Sequence, residues 1–289
     1  MALPWPVVDT HCHVIAPDTA RYPLQPMGGK QSDWSRERPV DDAGMLAAMA
    51  TAGVAQAVLV QASTCYGHDS SYVRDCARAH PAAFVGVYSV DLLAPDAPAQ
   101  AARWQAEGLA GMRFFIAGHT AADHATRLDD PRARPAWQYA SDHSIPVCVQ
   151  LRANGLPQLE AVLRDFPEVT VLLDHFARPV LDDGAPYAKA ASLWALARFP
   201  KLNFKLTTHN MLESAQGQST PQAFCEAAVA AFGAHRIAWG SNFPASSGGL
   251  AHQLQLAMDA TRTLSEADRA SIFSDTARRL YPGLGSGQA

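Results

Sequence analysis

The sequence has little charge of either sign, no long apolar run and no block of basic residues. Charged residues make up 17% of the 289 positions, and the formal net charge is −4. A weakly acidic chain without a lysine or arginine cluster is not expected to bind nucleic acid or an anionic membrane. No apolar stretch reaches the length of about 18 residues that a membrane-spanning helix needs. The composition is typical of a globular protein in water.

The cysteines are also few, and their number is odd. Their spacing is scattered and no C-x-x-C motif occurs, so neither a disulfide framework nor a structural zinc site is expected. Residues 1–6 lack the basic and apolar regions of a signal peptide. We therefore expect reduced thiols and a cytoplasmic protein. The cysteines are Cys12, Cys65, Cys76, Cys148 and Cys225.

Strand-like apolar runs alternate along the chain with Ala/Leu-rich stretches that are typical of helices. Eight runs are predicted as strands: Val7–Val14, Gln56–Ala62, Phe84–Leu92, Gly111–Ala117, Ile145–Leu151, Val169–His175, Leu202–Thr207 and Arg236–Ser241. Eight stretches are predicted as helices: Asp41–Ala52, Ser70–Ala79, Ala97–Glu107, Arg134–Ser144, Gly155–Phe166, Tyr187–Phe199, Thr220–Phe232 and Ser265–Tyr281. Asp41, Ser70 and Thr220 are the residue types that cap helix N-termini.

This alternation predicts an α/β protein with a parallel sheet. The number of strands and the length favour a single closed (β/α)8 TIM barrel over an open, doubly wound sheet. No G-x-G-x-x-G follows the first strand, which weakens the dinucleotide-binding alternative. No linker divides the chain, so residues 1–289 are predicted to form one domain, with 283–289 as a frayed tail. Residues 15–38 form a long loop after strand 1, and loops of that length are usually functional.

The most informative stretch is Asp9-Thr10-His11-Cys12-His13, at the end of the first predicted strand. Side chains of a strand alternate between its two faces, so residues 9, 11 and 13 are predicted to share one face. Two imidazoles so placed can hold one metal ion, or can position a polar substrate without a metal. Cys12 is predicted to point to the opposite face, where it is buried and inert.

Further polar residues stand at the ends of other predicted strands. Because the carboxyl ends of barrel strands meet at one face, three histidines and two arginines are expected to converge there. We expect His11, His13 and His175 within about 5 Å of one point, since metal ligation or hydrogen bonding requires that closeness. The other polar residues at these ends are Gln61, Ser63, Arg113, Gln150, Arg178, Lys205, His209 and Asn242.

Seven segments that run in order over nearly the whole chain resemble the amidohydrolase superfamily, in its branch of small TIM-barrel amidohydrolase 2 proteins. Within that branch the chain resembles lactonases of the 2-pyrone-4,6-dicarboxylate type. Each motif is weak alone, but the ordered set is specific. The segments are Val8–His13, Val60–Ala62, Gly111–Phe114, Leu173–His175, Phe204–Leu206, Trp239–Pro244 and Ala277–Tyr281.

The resemblance implies roles for these residues. In such lactonases the histidines that match His11, His13 and His175 surround the lactone carbonyl. Arginines that match Arg113 and Arg178 bind substrate carboxylates. We further expect Gln61, Ser63, Gln150 and His209 to bind substrate, and Lys205 to form a structural ion pair. His11, His13 and His175 are also the predicted ligands of a divalent metal, with Zn²⁺ the preferred ion; the same site without a metal stays an alternative.

The chain departs from the family at position 242, where the lactonases have a catalytic aspartate. Asn242 cannot take a proton from water at neutral pH, and it is a weaker metal ligand than a carboxylate. Another group is then the base, with His175 and His209 the main candidates and Asp69 a lesser one. Alternatively, a metal lowers the pKa of water by itself, or the reaction uses no water nucleophile.

These observations predict a hydrolase of the amidohydrolase type that opens a small, carboxylate-bearing lactone ring by water attack, with Asn242 in the catalytic set. One alternative is a metal-dependent, non-oxidative decarboxylase of an aromatic acid. The other is a non-catalytic binder that has lost the strand-8 aspartate. The expected partner is a small anionic substrate, with no nucleic acid and no membrane, and a homodimer is compatible with the pattern.

Overall fold

The computed structural model describes residues 4–116 and 126–285, and these form an eight-stranded parallel barrel. The strands follow one another around the sheet in the order of the sequence, as predicted. Each strand is rich in buried Val, Leu, Ile or Phe, which suits a sheet covered on both faces. The strands are β1 Val7–Cys12, β2 Val54–Val60, β3 Phe84–Ser89, β4 Gly111–Phe115, β5 Val147–Gln150, β6 Val171–Leu173, β7 Leu202–Thr207 and β8 Ile237–Gly240.

Backbone and side-chain bonds between the ends of β1 and β8 close the barrel. Asn242 N donates to His11 O at 2.7 Å, and His13 N donates to Phe243 O at 2.9 Å. The buried Asp9 carboxylate accepts hydrogen bonds from Ser241 N at 2.9 Å and Ser241 Oγ at 2.5 Å. The geometry at the end of the first strand therefore depends on Asp9 as a structural residue.

Thirteen α-helices are found in the described part of the chain. Asp41 and Thr220 cap their helices as predicted, by accepting from Gly44 N and Ala223 N. Ser70 does not cap, because its hydroxyl accepts from Ser89 N of β3 instead. The helices are α1 Asp33–Glu37, α2 Asp42–Ala52, α3 Ser63–Tyr66, α4 Ser71–Ala79, α5 Ala97–Ala106, α6 Arg134–Asp142, α7 Leu156–Asp165, α8 Ala191–Trp194, α9 Thr208–Ser214, α10 Pro221–Phe232, α11 Leu250–Ala260, α12 Glu266–Ala270 and α13 Thr276–Leu280.

The elements differ from the predictions at several places, and the short helices α1, α3 and α9 are among those that were not predicted. The predicted helix Tyr187–Phe199 is split into α8 and two flanking 3₁₀ turns, and a π turn at Ser271–Asp275 joins α12 to α13. Helix α11 was not predicted, although its buried residues recur at helical spacing. Strand β6 ends two residues before His175. The predicted end of strand 4, residue 117, lies outside the described residues.

Two clusters of buried apolar residues surround the sheet. The larger one packs the strands against the helices and includes Cys12. The smaller one joins residues of β1, β2, β3, β5 and β6 to the C-terminal segment, so it fills the barrel interior below the mouth. Its member Leu284 is buried within a 3₁₀ turn at Pro282–Leu284, so the predicted fraying does not begin at residue 283. Residues 286–289 of that predicted tail lie outside the described chain.

All five cysteines lie in the described residues, and all are buried free thiols. Cys12 is 0% exposed, which confirms the predicted packing role. Within the described ranges, no helix has the length and apolar character needed to cross a bilayer.

Candidate active site

A cavity of about 220 Å³ opens at the mouth of the barrel, where the carboxyl ends of the strands meet. Eight of the ten predicted site residues line it, and the other two, His11 and Gln61, lie buried directly beneath or beside it. The eight are His13, Ser63, Arg113, Gln150, His175, Arg178, His209 and Asn242.

The three predicted histidines form one buried group. The ring centre of His11 lies 4.9 Å from that of His13 and 5.0 Å from that of His175. His209 extends the group, since its ring centre is 5.0 Å from that of His175. The spacing meets the closeness that the sequence-based hypothesis required.

Hydrogen bonds fix the proton positions of two of these rings. His13 Nδ1 lies 2.7 Å from Val60 O, and a carbonyl only accepts, so His13 carries its proton on Nδ1. His175 Nδ1 lies 2.8 Å from Thr207 Oγ1, whose hydroxyl donates to Asn210 Oδ1. Nδ1 of His175 is therefore also the donor, and both rings keep a lone pair on Nε2.

Burial keeps these rings neutral. Desolvation lowers the pKa of His11 to about 4, with the positive charge of Lys205 adding to the effect and Asp174 opposing it. Desolvation likewise holds the pKa values of His13 and His175 well below the ordinary value for histidine. Neutral imidazoles are the form that binds metals and accepts protons.

His11 has two competing partners on its inner nitrogen. Its Nδ1 lies 3.1 Å from Lys205 Nζ and 3.4 Å from Asp174 Oδ1. If Lys205 donates to Nδ1, the proton of His11 is on Nε2. If Nδ1 instead donates to Asp174, Nε2 carries the lone pair. His11 Nε2 itself is buried without a hydrogen-bond partner. The residues beneath His11 thus decide whether it donates a proton or binds a cation.

These residues form a buried charged cluster. Asp174 Oδ1 is 3.1 Å from Lys205 Nζ, and Asp174 Oδ2 is 3.2 Å from Arg113 Nη2. Burial raises the pKa of Asp174, but Lys205, His11 and Arg113 together outweigh that effect and hold the pKa well below its usual range. Lys205 also contacts Cys148 Sγ at 3.0 Å. The ion pair expected for Lys205 is therefore present, and it supports His11 from below.

The segment after β6 has an unusual backbone. His175, Phe176, Ala177 and Arg178 have φ values of 54°, 53°, 59° and 51°, in the left-handed region that non-glycine residues avoid. Asn210 Nδ2 donates to His175 O at 2.8 Å and holds the turn from β7. Residues held this way cluster at functional sites.

The predicted substrate-binding residues are not all directed at the cavity. Arg113 donates from Nη1 to Gln61 O at 2.8 Å, and its Nη2 lies 3.3 Å from Gln150 Oε1. The side-chain amide of Gln61 donates to Asp69 O at 2.7 Å and does not line the cavity. Asp69 accepts from Ser71 N and Oγ at the start of α4. Gln61 and Asp69 thus shape the β2 loop.

Arg178 lines the cavity and pairs with Glu213, whose Oε1 lies 2.5 Å from Arg178 Nε. Arg152 lies within electrostatic range of both, and burial lowers its pKa, with the like charge of Arg178 adding to the effect. A second arginine therefore lies near the Arg178–Glu213 pair. Arg152 was not singled out in the sequence, although it directly follows the strand-5 tip.

Asn242 occupies the position at which the resemblance to lactonases predicts an aspartate. Its φ is 60°, and its Nδ2 lies 2.9 Å from Ser246 Oγ and 3.3 Å from His209 Nε2. The amide thus contacts the outer histidine rather than the central group. Trp34, from the loop after strand 1, also lines the cavity and was not singled out in the sequence.

A divalent metal fits this site. Among the described residues, one group of potential ligands comes close enough to hold an ion, with ligand atoms of His11, Asp174 and His175 within 4.8 Å of one another. Asp174 takes the place predicted for His13 in that group. The unpartnered Nε2 of His11 and the lone pair on His175 Nε2 are suitable donors for Zn²⁺.

Comparison with known proteins identifies the family. Residues 8–283 match the sequence model of the amidohydrolase family. The chain belongs to the amidohydrolase family. The family assignment predicted from the ordered motifs is thereby confirmed.

Among relatives of this amidohydrolase, L-fucono-1,5-lactonase of Burkholderia ambifaria is 30% identical over 203 residues, which is 68% of either chain. A crystal structure of an amidohydrolase from Burkholderia multivorans with bound zinc has a TM-score of 0.77 at 22% identity, and covers 96% of this chain and 99% of that one. That of 2,6-dihydroxybenzoate decarboxylase from Rhizobium has a TM-score of 0.70 at 16% identity, over 97% and 100%. The two structures share the barrel fold.

Proposed function

We propose that this amidohydrolase is a lactonase, which opens a small lactone ring by attack of water on the ester carbonyl. The observation that carries the proposal is the buried group of neutral histidines around one small cavity, with an unpartnered nitrogen on His11. The similarity to L-fucono-1,5-lactonase over two thirds of the chain supports the same reaction class.

In the proposed reaction, His175 and His11 have separate roles. His175 Nε2 accepts a proton from the attacking water, because its Nδ1 is bonded to Thr207. His11, with its proton on Nε2 when Lys205 donates to Nδ1, donates to the carbonyl oxygen on which charge develops. The proton held by His175 then passes to the ring oxygen as the C–O bond breaks. The product is an open-chain hydroxy acid.

A divalent metal, when held by His11, His175 and Asp174, would supply a Lewis acid for the carbonyl and lower the pKa of water. Asn242 does not act as the base, because an amide takes no proton at neutral pH. Its contact with His209 Nε2 instead orients that ring at the outer edge of the cavity. The anionic substrate and the homodimer stay predictions from the sequence. Arg178, which lines the cavity and pairs with Glu213, and the nearby Arg152 support the anionic substrate.

A pH-indicator assay on neutral lactones, carboxylated lactones and aromatic acids tests the proposal, with and without Zn²⁺ or Mn²⁺. Opening a lactone releases a proton, so acidification is expected. Initial alkalinisation with an aromatic acid as substrate would mean decarboxylation. No pH change with any compound of the panel would favour a non-catalytic binder. His175→Asn should reduce the rate by about 10²-fold or more, as loss of a base does. The matched control is His143→Asn, at the exposed residue that directly follows α6, which should leave the rate unchanged.

A further inference from the structure

The end of the loop after strand 1 crosses the mouth of the barrel as a fixed segment, which we call the strap (residues 31–38). On one side, Ser32 N donates to Thr64 O at 3.1 Å and Thr64 Oγ1 donates to Ser32 Oγ at 2.9 Å. On the other side, Arg38 donates from Nη2 to Ala245 O at 3.1 Å. The strap is therefore attached to the loop after β2 and to the loop after β8.

The strap places Trp34 over the histidine group. The Trp34 and His13 ring centres are 5.3 Å apart, and the ring planes differ by 29°. Stacked rings make their best contact at about 3.5–4.0 Å between atoms, so a spacing of 5.3 Å means that the rings are displaced sideways. The larger indole thus overlaps the imidazole only in part. Because Trp34 lines the cavity, part of its surface is directed at the space where a substrate binds.

Most of the other residues that line the cavity are of polar types. Besides the histidines, its aromatic rings are those of Trp34 and Phe115, and the guanidinium carbon of Arg113 lies 5.0 Å from the Phe115 ring. Arg113 thus occupies one side of Phe115. Trp34 provides a large apolar surface next to His13. In the proposed reaction this surface therefore lies next to the substrate carbonyl, which binds among the histidines.

We propose that Trp34 is a specificity-determining residue, whose indole forms the wall against which the face of the substrate's lactone ring packs. The inference rests on the proposed function and adds the shape of the substrate: one ring with a C–H face, of a size that suits a cavity of about 220 Å³. Contact between a ring face and an indole favours rings over flexible, open-chain esters. The strap holds the wall in place before the substrate arrives, so the ring binds without ordering the loop.

Two variants and one control test this role. Trp34→Ala removes the wall, and Trp34→Phe keeps a smaller aromatic face. Arg36→Gln is the matched control, because it changes an exposed residue of the same helix. Far-UV circular dichroism and melting temperature verify that each variant folds. KM and kcat are measured with a six-membered lactone and with an open-chain ester of equal carbon number, and affinity is measured by calorimetry with δ-valerolactam, a ring that water does not open.

Trp34→Ala is expected to raise KM for the lactone and Kd for the lactam by about tenfold, with kcat within about threefold. Trp34→Phe should recover most of the affinity, and the open-chain ester and Arg36→Gln should show little change. A fall in kcat with a shifted pH profile and unchanged KM would mean that Trp34 only supports His13, which overturns the proposal. Lactam affinity that is unchanged in Trp34→Ala overturns it too.

The two proposals fail in different ways. If the wild-type protein opens no lactone but binds the lactam, and Trp34→Ala loses that affinity, the ring-binding wall stands and the lactonase proposal falls. If the wild-type protein opens lactones and Trp34→Ala does so with an unchanged KM, the lactonase proposal is supported and the proposed role of Trp34 is rejected.

Discussion

Replacing Lys205 by methionine should destabilise the fold through the charge that it leaves unpaired. Lys205 is 0% exposed, and its Nζ lies 3.1 Å from both Asp174 Oδ1 and His11 Nδ1. Burial lowers the pKa of Lys205, but the negative charge of Asp174 and the contact with Cys148 together raise it more, so the ammonium form persists. Methionine keeps an unbranched stem of similar length and removes the charge. The variant therefore tests the charge more than the packing.

Breaking a buried ion pair by removing one partner costs about 3–5 kcal/mol. Arg113 remains 3.2 Å from Asp174 Oδ2 in the variant and still compensates part of the carboxylate charge. We therefore expect a loss near the lower limit, about 3 kcal/mol in the free energy of unfolding. Asp174→Asn should cost at least as much, because it leaves Lys205 and Arg113 without their shared carboxylate. The double variant should cost less than the sum by about 2 kcal/mol, because residues in one charged network are coupled.

Urea denaturation at pH 7, followed by both fluorescence and circular dichroism, measures these free energies. Lys201→Met is the matched control: Lys201 directly precedes β7, but its Nζ is 3.7 Å from Glu168 Oε2 and its side chain is 47% exposed. An exposed pair of this kind contributes less than about 1 kcal/mol. A loss below 1 kcal/mol for Lys205→Met, or additive losses in the double variant, would refute the assignment of a coupled charged cluster beneath the histidines.

Three further outcomes are expected. Gly240→Ala should lose activity and about 1–3 kcal/mol of stability, because a Cβ at this position would lie 2.6 Å from His11 Cβ. The control Gly249→Ala, which has open space around the added Cβ, should be nearly neutral in activity assays and in urea denaturation. The Cys225 thiol, with its pKa raised by burial to about 12, should resist a thiol reagent at pH 8 until urea unfolds the chain. Asn242→Asp should tighten Zn²⁺ binding by about tenfold or more in a chelator competition, and an unchanged affinity would place the metal away from this side chain.

The barrel could be predicted from the sequence because each strand is an apolar run buried on both faces. Such runs appear in the sequence without any knowledge of tertiary contacts, as at Leu202–Thr207, where prediction and structure coincide. Boundaries that depend on distant residues could not be predicted in this way. Ser70 resembles a helix cap locally, but its hydroxyl accepts from Ser89 N across the sheet. Helix α11 has buried Leu250, Leu254 and Ala257, and this spacing was a signal that could have revealed it.

The members of the site could be predicted because strand ends gather at one mouth, but the direction of each side chain could not. Gln61 follows β2 as expected, yet its amide bonds to the backbone of its own loop. Trp34 lies in a stretch without periodicity, and its place over His13 depends on bonds that the strap makes to Thr64 and to Ala245. No local pattern encodes those contacts.

The segment after β6 explains why the sequence could predict which strand ends meet at the mouth but not how their side chains are directed. Strand alternation would place Asp174 and His175 on opposite faces of the sheet, whereas in the structure both are directed at His11. The left-handed backbone from His175 to Arg178 makes this possible, at a cost of roughly 1–2 kcal/mol for each residue. Bonds from Asn210 to His175 O and between Arg178 and Glu213 offset that cost. The same turn therefore supplies the buried anion, the proposed base and a rim arginine, and its strain persists because residues on β7 and α9 hold it.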